Sequence, residues 1–495
     1  MLVLVLAFIE GACRTALAVL ESMGHAVPAN FQLSSVHRRE IGKILEKNEW
    51  YYGFSPTLGW TIIPAGRRLG YRANSQGIRG DEDYTRIPPS DTIRIAVFGD
   101  SFVHGSEVAN EHTWPAFLER TTSGLEVLNF GVGAYGLDQA FLRYQQDGAP
   151  FQAHIVIIGF MSENIRRSVS YFRPFYVPQM RVPRAKPRFV LDESGDVVLL
   201  ENPLPERSHF QDLLEHERSV VGRLGKRDFY YQTRYREGPL FFLRSVRLLR
   251  HLGNRLSGAR IIVDGAYNRR SEAFRVTTRI LVNFYESALE GGSMPVVVLL
   301  PARADLRRFR QEGTKVYEPL LEFLEVQNIP YVDVMGCFAR PGHVVEFRPG
   351  GHYAPSANRI VALCLRDRLR DAGYLDHRRR IDPFELRSLM SEPPAVRSSP
   401  RLGGAPQMGV VRCIINDELS GLGRDRWPPR PALPAPPKAQ ALSVPANRRL
   451  RLDEDENSTP SGRAIRELGP QESIGSAKSD RRFRDASTLG KRVSC

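Results

Sequence analysis

The sequence predicts an α/β fold: a three-layer α/β/α sandwich around a short parallel sheet, with an insertion and a C-terminal tail. Three observations predict it. Apolar, β-branched runs recur along the chain, as at 93–98, 154–159 and 295–300. Segments with helical spacing of apolar residues alternate with these runs, which favours parallel strands covered by helices on both faces. With 495 residues, the chain is long enough to bury a large core.

The elements of the central domain follow in order from these patterns. Thr113 is a candidate N-cap for a helix that starts at Trp114. Apolar residues of the last helix recur at helical spacing, so one of its faces should pack on the core. The predicted strands are 93–98, 126–129, 154–159, 295–300 and 330–334. The predicted helices are 114–120, 137–146, 274–289, 316–326 and 356–371.

The chain divides into four parts by composition. Residues 1–25 are apolar but are interrupted by Glu10 and Arg14, which fits either the remnant of a membrane anchor or an apolar helix packed on the domain. Residues 26–92 form an extension that covers a sheet edge or shapes a substrate entrance. The domain itself occupies 93–385. Its insertion at 165–260 is rich in arginine, aromatic residues and proline, and is either a lid and binding region or a surface elaboration.

The tail at 386–495 is predicted to be disordered. It is rich in proline and has little periodicity, so it buries too little apolar surface to offset its ordering entropy. It holds 19 Lys/Arg against 12 Asp/Glu, and its net charge of +7 is half of the formal +14 of the chain. The basic balance is therefore not a property of the central domain alone. No nucleic-acid-binding motif accompanies it, so we expect no nucleic-acid partner.

A Gly99-Asp100-Ser101 turn ends the first strand of the domain. In open α/β sheets, reactive groups collect outside the carboxyl ends of the strands. Ser101 is therefore a candidate nucleophile, provided that a base and an oxyanion site lie nearby. Three further features stand at suitable places: the glycine-rich segment at 129–136, Asn164 after the third strand, and His352 before the last helix.

This ordered set of Ser, Gly, Asn and His resembles the four sequence blocks of the SGNH (GDSL-type) hydrolase superfamily, over about residues 93–375. The surrounding sequence is similar to members associated with bacterial surface-polysaccharide assembly. The resemblance implies that Ser101 is the nucleophile and His352 its base. It also implies an oxyanion hole made by the Ser101 backbone N–H, a backbone N–H at Gly133 or Ala134, and the Asn164 side chain.

One part of the family pattern is missing. The family places an aspartate two or three residues before the histidine to orient its ring, and here those positions are Gly350 and Pro349. Either Glu346 or Asp333 could supply the carboxylate from nearby chain, or a backbone carbonyl could hold the ring. Loss of an orienting carboxylate costs on the order of 10⁴ in rate in one serine protease, so this choice bears on activity.

The resemblance implies an esterase that works through an acyl-serine intermediate, with an O-acylated saccharide as the substrate class. The same residues would serve an O-acyltransferase. The alternatives are a catalytically weakened polysaccharide-binding protein and an assembly factor that acts through a partner or the N-terminal segment. The sequence has no metal-binding motif, and we expect no cofactor. Its five cysteines imply no disulfide framework, so a membrane-associated, periplasmic or cytoplasmic location stays open.

Overall fold

The computed structural model describes residues 1–23, 30–238, 240–256 and 260–375. The predicted disorder of 386–495 therefore concerns residues outside the described part of the chain. The strands are β1 Tyr52–Ser55, β2 Gly59–Ile62, β3 Arg67–Arg68, β4 Tyr71–Arg72, β5 Ile93–Phe98, β6 Leu125–Asn129, β7 Ile155–Phe160, β8 Arg188–Leu191, β9 Val197–Leu200, β10 Ile262–Val263, β11 Ala266–Tyr267, β12 Met294–Leu299 and β13 Tyr331–Asp333.

Within the described residues, the helices alternate with these strands in the central domain. They are α1 Leu2–Ser22, α2 Ser35–Leu45, α3 Ser101–His104, α4 Trp114–Arg120, α5 Leu137–Arg143, α6 Asn164–Arg167, α7 Arg173–Tyr176, α8 Ser208–Glu215, α9 Glu217–Gly225, α10 Arg244–Leu256, α11 Glu272–Glu290, α12 Arg303–Glu312, α13 Glu318–Val326, α14 Met335–Phe338 and α15 Pro355–Asp371. Each of the five predicted helices is present within a few residues of its predicted bounds.

The five predicted strands form one sheet with the order β13-β12-β7-β5-β6. All four neighbouring pairs are parallel. The predicted α/β class with a parallel sheet is confirmed. Because β5 lies between β6 and β7, the chain winds outward in both directions from the β5–β7 pair. In doubly wound sheets the crevice beside such a reversal, at the carboxyl ends of the strands, is where ligands bind.

Both faces of the sheet are covered by helices. Ile95 and Val97 of β5 pack in one buried cluster with residues of α4 and α15. Ala96 and Phe98, which point the other way, pack in a second cluster with residues of α5, α11 and α13. This alternation follows from the two-residue period of a strand. It produces the predicted three layers, and the strands are apolar on both faces because neither face meets water.

The segment before β5 is fastened to the glycine-rich loop that follows β6. Tyr135 donates a hydrogen bond from its hydroxyl to the carbonyl of Trp60 (2.6 Å). Gln139 donates from its side chain to the carbonyl of Leu58 (2.7 Å). These bonds satisfy buried carbonyl groups of the β1–β2 hairpin region and fix the hairpin against the domain.

Helix α1 is apolar, long enough to cross a membrane, and largely exposed, with Val3, Leu4 and Phe8 each more than three-quarters exposed. It packs along α10. The carboxylate of Glu10 accepts hydrogen bonds at the first residues of α10, from the Arg244 backbone and the Ser245 side chain. The charge within the apolar helix therefore caps a second helix, where unpaired N–H groups favour an anion.

Cys337 and Cys364 form a disulfide that joins α14 to α15 across 27 residues of sequence. Five scattered cysteines, an odd number, imply no disulfide framework from the sequence, so this bond was not predicted. Both residues are buried, and Cys13 is free. Disulfides persist mainly in oxidising compartments, so this bond favours a location outside a reducing cytoplasm.

Candidate active site

The turn that carries Ser101 is built by its neighbours. A Cβ placed on Gly99 would lie 2.4 Å from Val103 Cγ2, so only glycine lets the chain turn this tightly after β5. The Asp100 side chain accepts the Phe102 N–H (2.9 Å) and so caps the short helix α3. Ser101 is the first residue of that helix, where backbone N–H groups have no partner within the helix.

The Asp100 carboxylate is held in place by contacts with two side chains that follow β7. It is buried, and its second carboxylate oxygen pairs with Arg167 (3.1 Å). Burial raises the pKa of Asp100, against the opposing attraction of Arg167. The Asn164 amide, oriented so that both its polar atoms are satisfied, donates to the same oxygen (3.2 Å) and accepts the Met161 N–H (3.2 Å). Asn164 thus lies beside the turn that carries Ser101, across the β5–β7 reversal.

His352 is brought to the same place from the far end of the domain. Its ring lies against Phe102, the residue after Ser101, with centroids 5.3 Å apart. The Arg348 N–H donates to the His352 carbonyl (2.7 Å) and closes the loop that precedes α15. No hydrogen bond joins the Ser101 hydroxyl to His352, although both residues are in the described part of the chain. Such bonds commonly tighten only when substrate is bound.

The carboxylate on His352 comes from Glu107. Glu107 Oε2 lies 2.7 Å from His352 Nδ1, and it also accepts the His352 N–H (3.3 Å). Its other oxygen accepts the Gly350 N–H (2.8 Å). Burial works to raise the pKa of Glu107, but the hydrogen bonds from His352 and Gly350 outweigh it and leave the pKa below its usual value. The imidazole therefore faces an ionised carboxylate.

Gly350 leaves the space that the Glu107 carboxylate occupies. A Cβ built on Gly350 would lie 2.6 Å from Glu107 Oε2, so the carboxylate of Glu107 occupies the space that a side chain at 350 would take. A contact 245 residues apart in sequence replaces one between near neighbours. Glu107 also has a φ of +68°, a left-handed conformation that costs a residue with a side chain on the order of 1 kcal/mol. Strain of this kind collects at functional sites.

The two carboxylates expected from the sequence to orient His352 are bound elsewhere, and that expectation was wrong. Glu346 accepts a hydrogen bond from the Ser356 hydroxyl (2.7 Å). Asp333 accepts from Tyr317 (3.0 Å) and pairs with Lys315 (3.1 Å). Both were chosen because they stand near His352 in sequence, whereas the loop after α3 is nearer in space.

Arg79 holds the loop that presents Glu107. Its buried guanidinium donates to the carbonyls of Gly105 (2.7 Å) and Val108 (2.6 Å), on either side of Glu107. Arg79 belongs to the N-terminal extension, outside the four sequence blocks. It braces the site without touching Ser101 or His352.

The glycine-rich segment at 129–136 forms the remaining wall of the candidate site. The Val132 N–H donates to the Gly99 carbonyl (3.0 Å), which places the glycine-rich loop beside the turn that carries Ser101. Trp60 Nε1 donates to the Gly133 carbonyl (3.0 Å). Ala134 has a φ of +65°, a left-handed conformation that glycine adopts freely and that strains a residue with a side chain. The described residues contain no group of three or more side chains suited to hold a metal ion.

The chain is similar to several solved structures. They include a GDSL-like lipase from Bacteroides thetaiotaomicron (11% identity, TM-score 0.28, 58% of this chain and 91% of that chain covered). A lipase/acylhydrolase from Enterococcus faecalis is similar at 12% identity and TM-score 0.29, with 56% and 96% covered. A member of the lipolytic protein G-D-S-L family from Veillonella parvula gives 12%, 0.27, 55% and 96%. No family model and no curated protein matches the sequence. We draw no inference from likenesses at these TM-scores.

Proposed function

We propose that this chain is a serine esterase of the SGNH type. The observation that carries the proposal is the contact of Glu107 with His352 beside the Ser101 turn, at the reversal point of the sheet. A carboxylate, an imidazole and a hydroxyl in this order form the general arrangement that activates a serine. The resemblance of four sequence blocks to that superfamily supports the same assignment.

The chemistry follows from the groups present. Ser101 Oγ bonds to the ester carbonyl carbon while its proton passes to His352 Nε2. Glu107, on the opposite ring nitrogen, fixes the tautomer and stabilises the imidazolium that forms. The intermediate collapses, the C–O bond to the alcohol breaks, and the alcohol leaves with the proton. Water then attacks the acyl-serine by the same steps, which frees the acid and restores Ser101.

Negative charge on the carbonyl oxygen needs donors that are already in place. The Ser101 N–H, at the start of α3, is one. A backbone N–H at Gly133 or Ala134 and the Asn164 amide are the others in this proposal. Asn164 donates to Asp100 in the structure, so we propose that its amide turns toward the oxyanion when substrate is bound.

We propose an O-acylated saccharide as the substrate class, because the surrounding sequence is similar to members of the superfamily associated with bacterial surface-polysaccharide assembly. We also propose that the protein acts at a membrane, outside the cytoplasm. The exposed apolar face of α1 supports membrane association. The disulfide between Cys337 and Cys364 supports an oxidising compartment.

The test is hydrolysis of p-nitrophenyl acetate by the full-length protein. Ser101→Ala and His352→Ala should each reduce kcat/KM by at least about 10³. His112→Ala is the matched control, because His112 is exposed and lies outside the site, and it should retain full activity. Equal background rates for the wild type and all three variants would reject the proposal.

A further inference from the structure

A cavity of about 460 Å³ lies between residues 40–69 of the N-terminal extension and Val182, Arg184 and Phe210 of the segment that follows β7. This volume is within the usual range for sites that bind small molecules. Its walls include the aromatic side chains of Tyr52, Phe54 and Trp60. Trp50, another lining residue, is 74% exposed. A solvent-exposed tryptophan at a cavity offers a flat apolar face to a ligand.

Three arginine side chains that line the cavity have no acidic partner among the described residues. Arg67, Arg68 and Arg184 line it, and none of the three forms an ion pair within the described part of the chain. Arg184 lies over the rings of Trp60 (4.6 Å) and Tyr52 (5.5 Å). Burial lowers the pKa of Arg184 to about 10, against the attraction of Tyr52, so it stays charged at neutral pH. A half-buried guanidinium without an acidic partner, as at Arg184, costs free energy, and a bound anion would lower that free energy.

The acids that line the cavity are already neutralised. Glu40 pairs with Lys43 (2.9 Å) and with Arg181 (3.4 Å). Glu49 pairs with Arg207 (2.6 Å). The arginines therefore leave the cavity with a net positive charge.

Residues that line the cavity also contact the glycine-rich segment at 129–136. A Cβ placed on Gly133 would lie 2.6 Å from the Tyr52 hydroxyl, so Tyr52, a lining residue of the cavity, also contacts this segment. Trp60, also a lining residue, donates to the Gly133 carbonyl. The side chains of Tyr52 and Trp60 therefore lie between the cavity and the segment that carries the proposed oxyanion N–H group.

We propose that this cavity binds an acidic sugar residue of the substrate, with its carboxylate on Arg184 and Arg68 and a face of its ring on Trp50. This inference rests on the proposed function for its link to catalysis, and it narrows the substrate class to esters of anionic saccharides. Binding energy from such a remote group can position the scissile ester at Ser101.

The test is calorimetric titration of the full-length protein with trigalacturonate, with neutral maltotriose and inorganic phosphate as comparison ligands. Trigalacturonate should bind at least about tenfold more tightly than either. Arg184→Gln should weaken its binding by at least about tenfold, and Arg184→Lys by less, because an ammonium keeps the charge but not the planar fork. Arg68→Gln and Trp50→Ala, both at exposed side chains, should each weaken it several-fold without loss of fold.

Arg86→Gln is the matched control, since Arg86 is an exposed arginine over an aromatic ring (Phe151, 4.2 Å) outside the cavity. It should leave the Kd unchanged. Failure of trigalacturonate to bind, binding indifferent to Arg184, Arg68 and Trp50, or equal binding of phosphate would overturn the inference. Calorimetry does not need turnover, so Ser101→Ala should bind trigalacturonate as the wild type does. An inactive wild type that binds through Arg184 would reject the proposed function alone.

Discussion

Replacement of Glu107 by glutamine tests how the imidazole is held. The change keeps the size of the side chain and removes its charge. In the transition state of the proposed mechanism, His352 carries a positive charge beside Glu107, with Nδ1 and Oε2 2.7 Å apart. Two unit charges about 4 Å apart attract by about 4 kcal/mol at an effective dielectric constant of about 20. Since about 1.36 kcal/mol corresponds to a factor of ten, the full attraction is worth about 10³ in rate.

Solvent reduces that figure. The Glu107 side chain is 28% exposed and that of His352 is 19% exposed. A glutamine carbonyl can still accept the Nδ1 proton, so part of the orientation is kept. We expect kcat/KM for p-nitrophenyl acetate to fall by about 10² to 10³, mainly through kcat, because the lost interaction belongs to the transition state.

The control is Glu346→Gln, which removes the same charge from a carboxylate bound to Ser356. It should change kcat/KM by less than about twofold. A Glu107→Gln enzyme with full activity, or an equal loss in both variants, would refute the assignment of Glu107.

Four further predictions follow from the same contacts. In the inactive Glu107→Ser background, Gly350→Asp should restore part of kcat/KM, because the space now filled by Glu107 would be free for the new carboxylate; no recovery would count against the exchange. Attraction to Arg167, mainly, lowers the pKa of Glu163 to about 2 from 4.5, so its stabilising contribution is present above about pH 4.5 and is lost as the pH falls toward 2. Glu163→Gln should therefore lower the free energy of unfolding at pH 7 but not at pH 2, and equal effects at both would contradict this. Loss of the disulfide in Cys337→Ala/Cys364→Ala should lower the free energy of unfolding in urea by about 3.5 kcal/mol, from the loop-entropy estimate, while Cys13→Ala should leave it unchanged. Ala134→Gly should raise the unfolding free energy by up to about 1 kcal/mol by relieving the positive φ, whereas Gly133→Ala should lower it by forcing a methyl group against Tyr52.

The parts of the site that lie at strand ends could be predicted from the sequence. Ser101 and Asn164 follow the apolar runs of β5 and β7, and the period of the pattern fixes both the strands and the edge where they end. The five strands and the helices between them follow from the same periodicity.

The orienting carboxylate could not be predicted in this way. Glu107 stands in a loop after α3, and its role depends on a left-handed backbone conformation, on the brace from Arg79 and on a contact with His352 across 245 residues. None of these leaves a periodic signal. The nearest sign of this arrangement in the sequence is an absence. Gly350 stands where the resembling family has an aspartate, and the structure leaves no room for a side chain there. The disulfide was missed for a similar reason, because only the packing of α14 on α15 brings Cys337 to Cys364.

The most direct measurement is covalent capture of the nucleophile. The full-length protein is treated with diethyl p-nitrophenyl phosphate, which phosphorylates activated serines, and the modified peptide is located by mass spectrometry. We predict one diethylphosphoryl group on Ser101, formed at least about 10² times more slowly in His352→Ala and also slowed in Glu107→Gln. Modification at another residue, or a rate on Ser101 that is the same without His352, would contradict the account.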